Sequence, residues 1–275
     1  KNKKLLCPNC SSNKIKNLKL YLSAKDFEIF TCMACDLSFK ENVNEGKEFS
    51  FEDGDYYSKK NVGDKVNQRY KKHFLRRAKN HIDHIENFIG KDLNKSVLDI
   101  GCGAGLFIEH LQSKGWKVEG IVPDPNMFNH AKNKLNLNVQ KKLFSEWESE
   151  QKFGLIYLSH ILDDLPNLKG VLKKINASLE KEGILFVEVP NLSSKFRINF
   201  EKEAELLAGK YFFSINSLKD TLERSGFKIL NVKTFRLVHL NSFFQILISP
   251  IMFLLHFMPD KYKPYLRIIA KKENE

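Results

Sequence analysis

Val97-Leu98-Asp99-Ile100-Gly101-Cys102-Gly103-Ala104-Gly105 is the stretch on which the fold turns. Val97, Leu98 and Ile100 suit a strand buried on both faces. Gly101, Gly103 and Gly105 allow positive φ and close approach of a ligand to the backbone. Leu106-Phe107-Ile108 then opens a helix whose free N–H groups face the crevice. A glycine-rich turn alone is weak evidence. Preceded at once by an apolar strand carrying an acid, it predicts a site for a nucleotide-type cofactor.

Outward from this stretch, strand and helix alternate. Helices are expected over 106–114, 125–135, 168–179 and 217–225. Strands are expected over 117–122, 155–159, 184–189 and 228–235. Gly115, Gly183 and Gly226 stop three of the helices, and Pro190 closes a strand. Such β-α-β units imply an α/β fold with a parallel sheet covered on both faces. Ligands bind such sheets at the carboxyl ends of the strands, so the glycine loop, Val122 and Ser159 should share one crevice. Upstream, 67–88 has helical periodicity in Phe74, Leu75, Ala78, Ile82 and Ile85. Its other face carries Lys71, Lys72, Arg76, Arg77 and Lys79. No aromatic residues interleave with them as base stacking would require, so this reads as a solvated face.

The 275 residues suffice for one or two domains with a proper core. With 42% hydrophobic and 28% charged residues, global disorder is excluded. The 45 Lys and Arg over 33 Asp and Glu give +12. This excess is mainly lysine spread along the chain, so nucleic acid is not the expected partner. The start lacks the apolar run of a signal peptide, which points to the cytoplasm.

Four of the five cysteines form two knuckles, Cys7-Pro8-Asn9-Cys10 and Cys32-Met33-Ala34-Cys35, with 21 residues between them. Two knuckles aim four thiolates at one point, a closed tetrahedral site for structural Zn²⁺. Between them, alternating Leu18, Leu20 and Leu22, then Phe27 and Ile29, read as two short strands. Residues 1–45 are thus a zinc ribbon, held together by its metal, and 46–66 are a connector.

The motifs of 67–275 resemble class I S-adenosylmethionine (SAM)-dependent methyltransferases of the small-molecule type. The stretch 97–105 is similar to their first motif. Leu155 to Leu165 resembles their fourth-strand motif, and Leu179 to Asn191 the strand that ends in Pro-Asn. Tyr211 to Phe227 is similar to the segment after it. With a ribbon in front, the chain resembles bacterial methyltransferases of sugar and surface-polysaccharide biosynthesis. The resemblance implies a Rossmann-like seven-stranded sheet in the order 3-2-1-4-5-7-6, with Tyr265 to Ala270 as its antiparallel last strand. It implies that Asp99, Gly101, Cys102, Gly103 and Gly105 hold the amino-acid end of SAM, with Phe144 and Ser145 near the adenine. His160 becomes the candidate general base toward a small-molecule or glycan acceptor. The other readings are an RNA methyltransferase gripping RNA through the ribbon, and a catalytically silent binding protein.

Three positions depart from the family pattern. Val122 stands where an acid grips the ribose hydroxyls; Asp124, two residues on, keeps the same strand parity and is the expected substitute. Gly154 replaces an Asp. Asp163-Asp164 replace Glu-His, either to orient a sugar hydroxyl or to cap the helix after Pro166. Residues 240–258 form a nearly uncharged insertion, too short and interrupted to span a membrane. It suits a roof over the acceptor pocket. With flanking Lys261, Lys263, Arg267, Lys271 and Lys272 it also suits peripheral contact with the inner membrane face.

Overall fold

The computed structural model describes residues 5–22, 25–41, 68–90, 93–192, 209–235, 263 and 265–273. The connector 46–66 and the apolar insertion 240–258 lie outside the described residues. Strands β1 (Ile15–Leu22), β2 (Lys25–Cys32) and β3 (Ser38–Lys40) form the amino-terminal module. Helix α1 (Gln68–Glu86) precedes β4 (Ser96–Ile100), α2 (Leu106–Ser113) and β5 (Lys117–Ile121). Then come α3 (Pro125–Asn129), a π-helical turn (His130–Lys134), β6 (Val139–Gln140), β7 (Phe153–Ser159) and α4 (Leu168–Ser178). The chain continues through β8 (Leu179–Pro190), β9 (Tyr211–Phe212), α5 (Ile215–Glu223), β10 (Phe227–Phe235) and β11 (Tyr265–Lys272).

Seven strands form one sheet in the order β10-β11-β8-β7-β4-β5-β6. Strands β4 to β8 pair in parallel, and β11 runs antiparallel to both β8 and β10. Numbered within this sheet and read from the β6 edge, the order is 3-2-1-4-5-7-6. Strand β9 does not join it. It leaves to extend the amino-terminal module into a second, four-stranded sheet, β1-β2-β3-β9, with Ser38 opposite Phe212 and Phe39 opposite Tyr211.

Strand alternation divides the interior in two. Leu98, Ile100, Ile156, Leu158, Leu185 and Val187 face one side, where α4, α5 and the amino-terminal module pack. Val97, Leu155, Tyr157, Ile184, Phe186 and Ile269 face the other, covered by α1, α2 and α3. The module shares the first of these cores: Cys32, Leu37 and Phe39 are buried in it together with Leu172, Tyr211 and Phe213. Polar ties add to the burial. Ser214 Oγ donates to Asp36 Oδ2 at 2.5 Å, and Asn9 Nδ2 donates to Asp220 Oδ2 at 2.8 Å.

Two local features have physical reasons. The helix expected over 125–135 is α-helical only to Asn129 and widens into a π turn. That turn carries His130, whose Nδ1 lies 2.9 Å from the carbonyl oxygen of Ala104 in the glycine loop. Gly154 replaces the family's Asp because the chain passes against it: a Cβ there would stand 2.0 Å from the Asn94 carbonyl oxygen.

Candidate active site

The glycine loop links β4 to α2 with positive φ at Gly101, Gly103 and Gly105 (77°, 53° and 82°). Two of these glycines differ in what surrounds them. A Cβ on Gly105 would meet Leu137 Cδ1 at 2.6 Å and Ala131 Cβ at 2.9 Å, so this residue packs the loop onto the π turn. A Cβ on Gly103 would meet nothing within 4 Å. Gly103 therefore presents bare backbone to open space, the condition for a ligand to approach the main chain. The N–H groups of Gly101 and Cys102 donate to Ile121 O at 2.9 and 3.1 Å, which fixes the loop to β5. Cys102 is buried, and burial pushes its thiol well above the ordinary range.

Asp99 is 2% exposed. Burial pushes its carboxyl well above the usual carboxylate range. Among the described residues no hydrogen bond or ion pair reaches it. A cationic group entering beside it would favour the charged form.

Across the loop, Val122 is buried and Asp124 is 3% exposed. Asp124 caps α3, its Oδ1 accepting from Met127 N at 2.8 Å. Glu119 is committed elsewhere: it accepts from Trp147 Nε1 at 2.7 Å and from Gln140 Nε2 at 2.9 Å. It is in register with Leu98, whereas Asp99 is in register with Gly120 and Tyr157, so Glu119 and Asp99 face opposite sides of the sheet. Phe144 is buried and stacks on Trp147, with Lys174 Nζ 5.0 Å from its ring centre, while Ser145 is exposed. Asp163 and Asp164 do not cap the helix after Pro166. That role belongs to Asn167, whose Oδ1 accepts from Gly170 N. The Asp163 carbonyl instead accepts from Lys210 N and Tyr211 N at 2.8 and 3.0 Å, docking β9 beside the end of β7.

His160 follows β7 with φ 57°, a left-handed conformation that non-glycine residues rarely adopt. Its N–H donates to Glu188 O at 2.7 Å, and its Nε2 lies 3.4 Å from Glu188 Oε1. Its ring stands edge-on to Tyr265, with 5.2 Å between centres, and its side chain is 29% exposed.

Glu188 is the centre of a buried polar cluster. Arg77 Nη2 from α1 pairs with Oε1 and also donates to Ser159 Oγ at 2.7 Å. Arg267 donates to Oε2 from Nε at 2.9 Å and from Nη2 at 2.6 Å. The Arg267 guanidinium also lies over the rings of Phe186 and Phe235. His81 Nε2 stands 3.2 Å from Oε2 without hydrogen-bond geometry, while its Nδ1 is 2.7 Å from Tyr157 Oη. Burial opposes ionisation of Glu188. The imidazoles of His81 and His160 and the Arg77 guanidinium outweigh it, holding the carboxyl well below its ordinary range. His81 goes the other way: burial lowers it to about 4, so it is neutral at pH 7.

The sequence reading missed this cluster and placed Arg77 on a solvated face. Lys72, Arg76 and Lys79 are indeed exposed, but Arg77 turns inward. The signal was present. Arg77, His81 and His84 recur at helical spacing, and a lone acid and a lone arginine interrupt the apolar strands Ile184–Val189 and Leu266–Ala270.

At the other end of the structure, the ligand atoms of Cys7, Cys10, Cys32 and Cys35 lie within 4.8 Å of one another. The Cys7–Cys35 and Cys10–Cys32 sulfurs are 3.5 Å apart. Tetrahedral Zn–S bonds of ~2.3 Å imply sulfurs separated by about 3.8 Å, so the four thiols fit such an ion. The hydrogen bond between Cys7 and Cys35 pushes the first thiol up and draws the second down to about 5.

Comparison with known proteins identifies relatives and the fold. A ubiquinone biosynthesis O-methyltransferase of Coxiella burnetii is 31% identical over 107 residues, 37% of this chain and 46% of that protein. A trans-aconitate 2-methyltransferase of Agrobacterium fabrum is 32% identical over 125 residues, 44% of this chain and 49% of that protein. The chain thus spans about half the length of the curated relatives it matches. A SAM-dependent methyltransferase from Archaeoglobus fulgidus shares the fold, with a TM-score of 0.52 and 21% identity over 74% of this chain and 94% of that one. A family model described as a methyltransferase domain matches residues 69–232, which include the glycine loop, His160 and Glu188. That match covers more than half of the chain, which therefore belongs to this methyltransferase-domain family.

Proposed function

We propose that this protein transfers a methyl group from SAM to a hydroxyl oxygen of a small glycan-type metabolite, a sugar nucleotide or a lipid-linked saccharide. The observation that carries the SAM assignment is the pairing of Gly103, bare toward open space, with Asp99, a buried carboxylate that no described residue neutralises. An amino acid's ammonium group matches that carboxylate. Gly101, Cys102 and Gly105 hold the loop, and Phe144 and Ser145 border the adenine. Asp124 Oδ1 is used by the α3 cap, so its second oxygen is the one offered to the ribose. When bound, SAM supplies the methyl group, and the electrons of its C–S bond remain on sulfur as the new O–C bond forms. The chain aligns the acceptor, excludes water and takes up the hydroxyl proton at His160. Cys7, Cys10, Cys32 and Cys35 hold structural Zn²⁺. The lipid-linked option rests on the apolar run 240–258 and the lysines that flank it; Arg267, counted with them in the sequence, is instead buried against Glu188.

Calorimetry on the zinc-loaded protein tests the assignment. SAM is expected to bind, and Asp99→Asn to weaken it tenfold or more, the loss of a charged hydrogen bond worth about 1.5–3 kcal/mol. Absence of SAM binding in a folded, zinc-loaded sample would leave a non-catalytic binding protein as the correct reading.

A further inference from the structure

We propose that Glu188 and His160 form a dyad in which Glu188 is a positioning residue and His160 Nδ1 is the atom that receives the acceptor's proton. The inference rests on the reading of His160 as the general base and deepens it. Three observations lead to it. Glu188 holds His160 twice, through its backbone carbonyl to the His160 N–H at 2.7 Å and through its carboxylate 3.4 Å from Nε2. The first contact fixes the left-handed backbone that turns this side chain away from the line of β7. The second is a charge contact longer than a good hydrogen bond, and it favours the tautomer whose ring proton faces the carboxylate. An ionised carboxylate only accepts hydrogen bonds, so the neutral ring carries its proton on Nε2 and keeps the lone pair on Nδ1. The same division of labour lets a buried carboxylate orient the base of a hydrolytic triad.

The rest of the cluster keeps Glu188 available for this task. Arg77 and Ser159 approach Oε1 and Arg267 approaches Oε2, so the carboxylate cannot rotate without breaking charged hydrogen bonds. Among the described residues, the groups packed around the dyad include Arg77, His81 and His84 on α1, Tyr157 and Ser159 on β7, and Tyr265 and Arg267 on β11. Of these, the two guanidiniums carry fixed charge, and one carboxylate faces them. In the proton step the acceptor's O–H bond breaks and an N–H bond forms at Nδ1. The electron pair stays on oxygen for attack, and the imidazolium later gives its proton to water.

Nitrogen-15 NMR of histidine-labelled, zinc-loaded protein tests the dyad without an acceptor. His160→Asn assigns the ring signals by their loss, and at 29% exposure it is a mild replacement. The wild-type ring, when neutral, is expected in the Nε2–H form. Glu188→Gln, checked for fold by circular dichroism, is expected to mix the tautomers and lower the His160 titration midpoint by roughly 1 pH unit or more, as removing an adjacent opposite charge does. A wild-type ring in the Nδ1–H form overturns the proposal, and that measurement needs no substitution at Glu188. An unchanged tautomer and midpoint in Glu188→Gln also overturns it. Failure of SAM to bind, read separately by calorimetry, would overturn the methyltransferase reading and leave the dyad measurement standing.

Discussion

Gly103 and Gly105 look alike in the motif and differ in their surroundings, so substitution separates their roles. Gly105→Ala drives a methyl into Leu137 and Ala131 at positive φ, and should destabilise the fold by about 2–4 kcal/mol in a denaturant melt. Gly103→Ala meets no neighbour. It should cost only about 1 kcal/mol of backbone strain yet reduce SAM affinity tenfold or more by calorimetry. Equal effects at the two sites would contradict the division between packing and ligand approach. Asp124→Ala removes a helix cap, costing about 1 kcal/mol of stability. If its second oxygen grips the ribose, SAM affinity falls with it; unchanged affinity would restrict Asp124 to capping.

His81 makes a prediction about pH. Its pKa falls from 6.5 unfolded to about 4 in the fold, so the unfolded chain binds the extra proton between those values. The neutral ring's place in the fold is secure above pH 6.5 and is lost progressively toward pH 4. The full effect is about 3 kcal/mol. Glu188 adds to the loss only at lower pH, below the ordinary carboxylate value, where the unfolded carboxyl takes up a proton that the folded one still refuses. Stability measured by urea melts should fall from pH 6.5 to 4 in the wild type and be flatter in His81→Gln.

At the scale of elements, β9 deserves the most weight for its length. Two residues, Tyr211 and Phe212, splice the cysteine module onto the methyltransferase domain, with Tyr211 and Phe213 buried in the same core as Cys32 and Phe39. Stripping Zn²⁺ from zinc-loaded protein should therefore lower the melting temperature of the whole protein, not only of the first 45 residues. The check is a melt with and without chelator, followed by tryptophan fluorescence, since Trp116 and Trp147 both lie in the larger domain. An unshifted tryptophan transition would show the module to be independent. Nothing in the sequence announced this splice. A two-residue strand has no alternation to read, and its partner lies far away along the chain. The glycine loop and the cysteine knuckles were legible because each is dictated locally, by backbone freedom in one and by ligand geometry in the other. The Glu188 cluster lay between these cases. Its members were visible as misfits in apolar patterns, but only folding shows that five separate misfits compensate one another.

Across the whole protein, two cores lie back to back on one sheet, and the glycine loop, His160 and Glu188 lie toward the carboxyl ends of its parallel strands. The α1 and α2 side supplies Arg77 and the glycine-loop helix; the other side supplies the docked module. Among the described residues no helix is long and apolar enough to cross a membrane.

The splice through β9 also sets a timetable for synthesis. The cysteine module leaves the ribosome before β9 is made, so β3 waits with the edge that β9 will cover still open. The strand that closes this edge is made 171 residues after Lys40. At ~5–20 residues per second, the edge waits on the order of 10–30 s. During that interval the nascent chain carries an uncovered strand edge beside four thiols, the kind of template on which chains aggregate. Capture of Zn²⁺ by the four thiols at that stage would shield the nascent chain before its second sheet is closed.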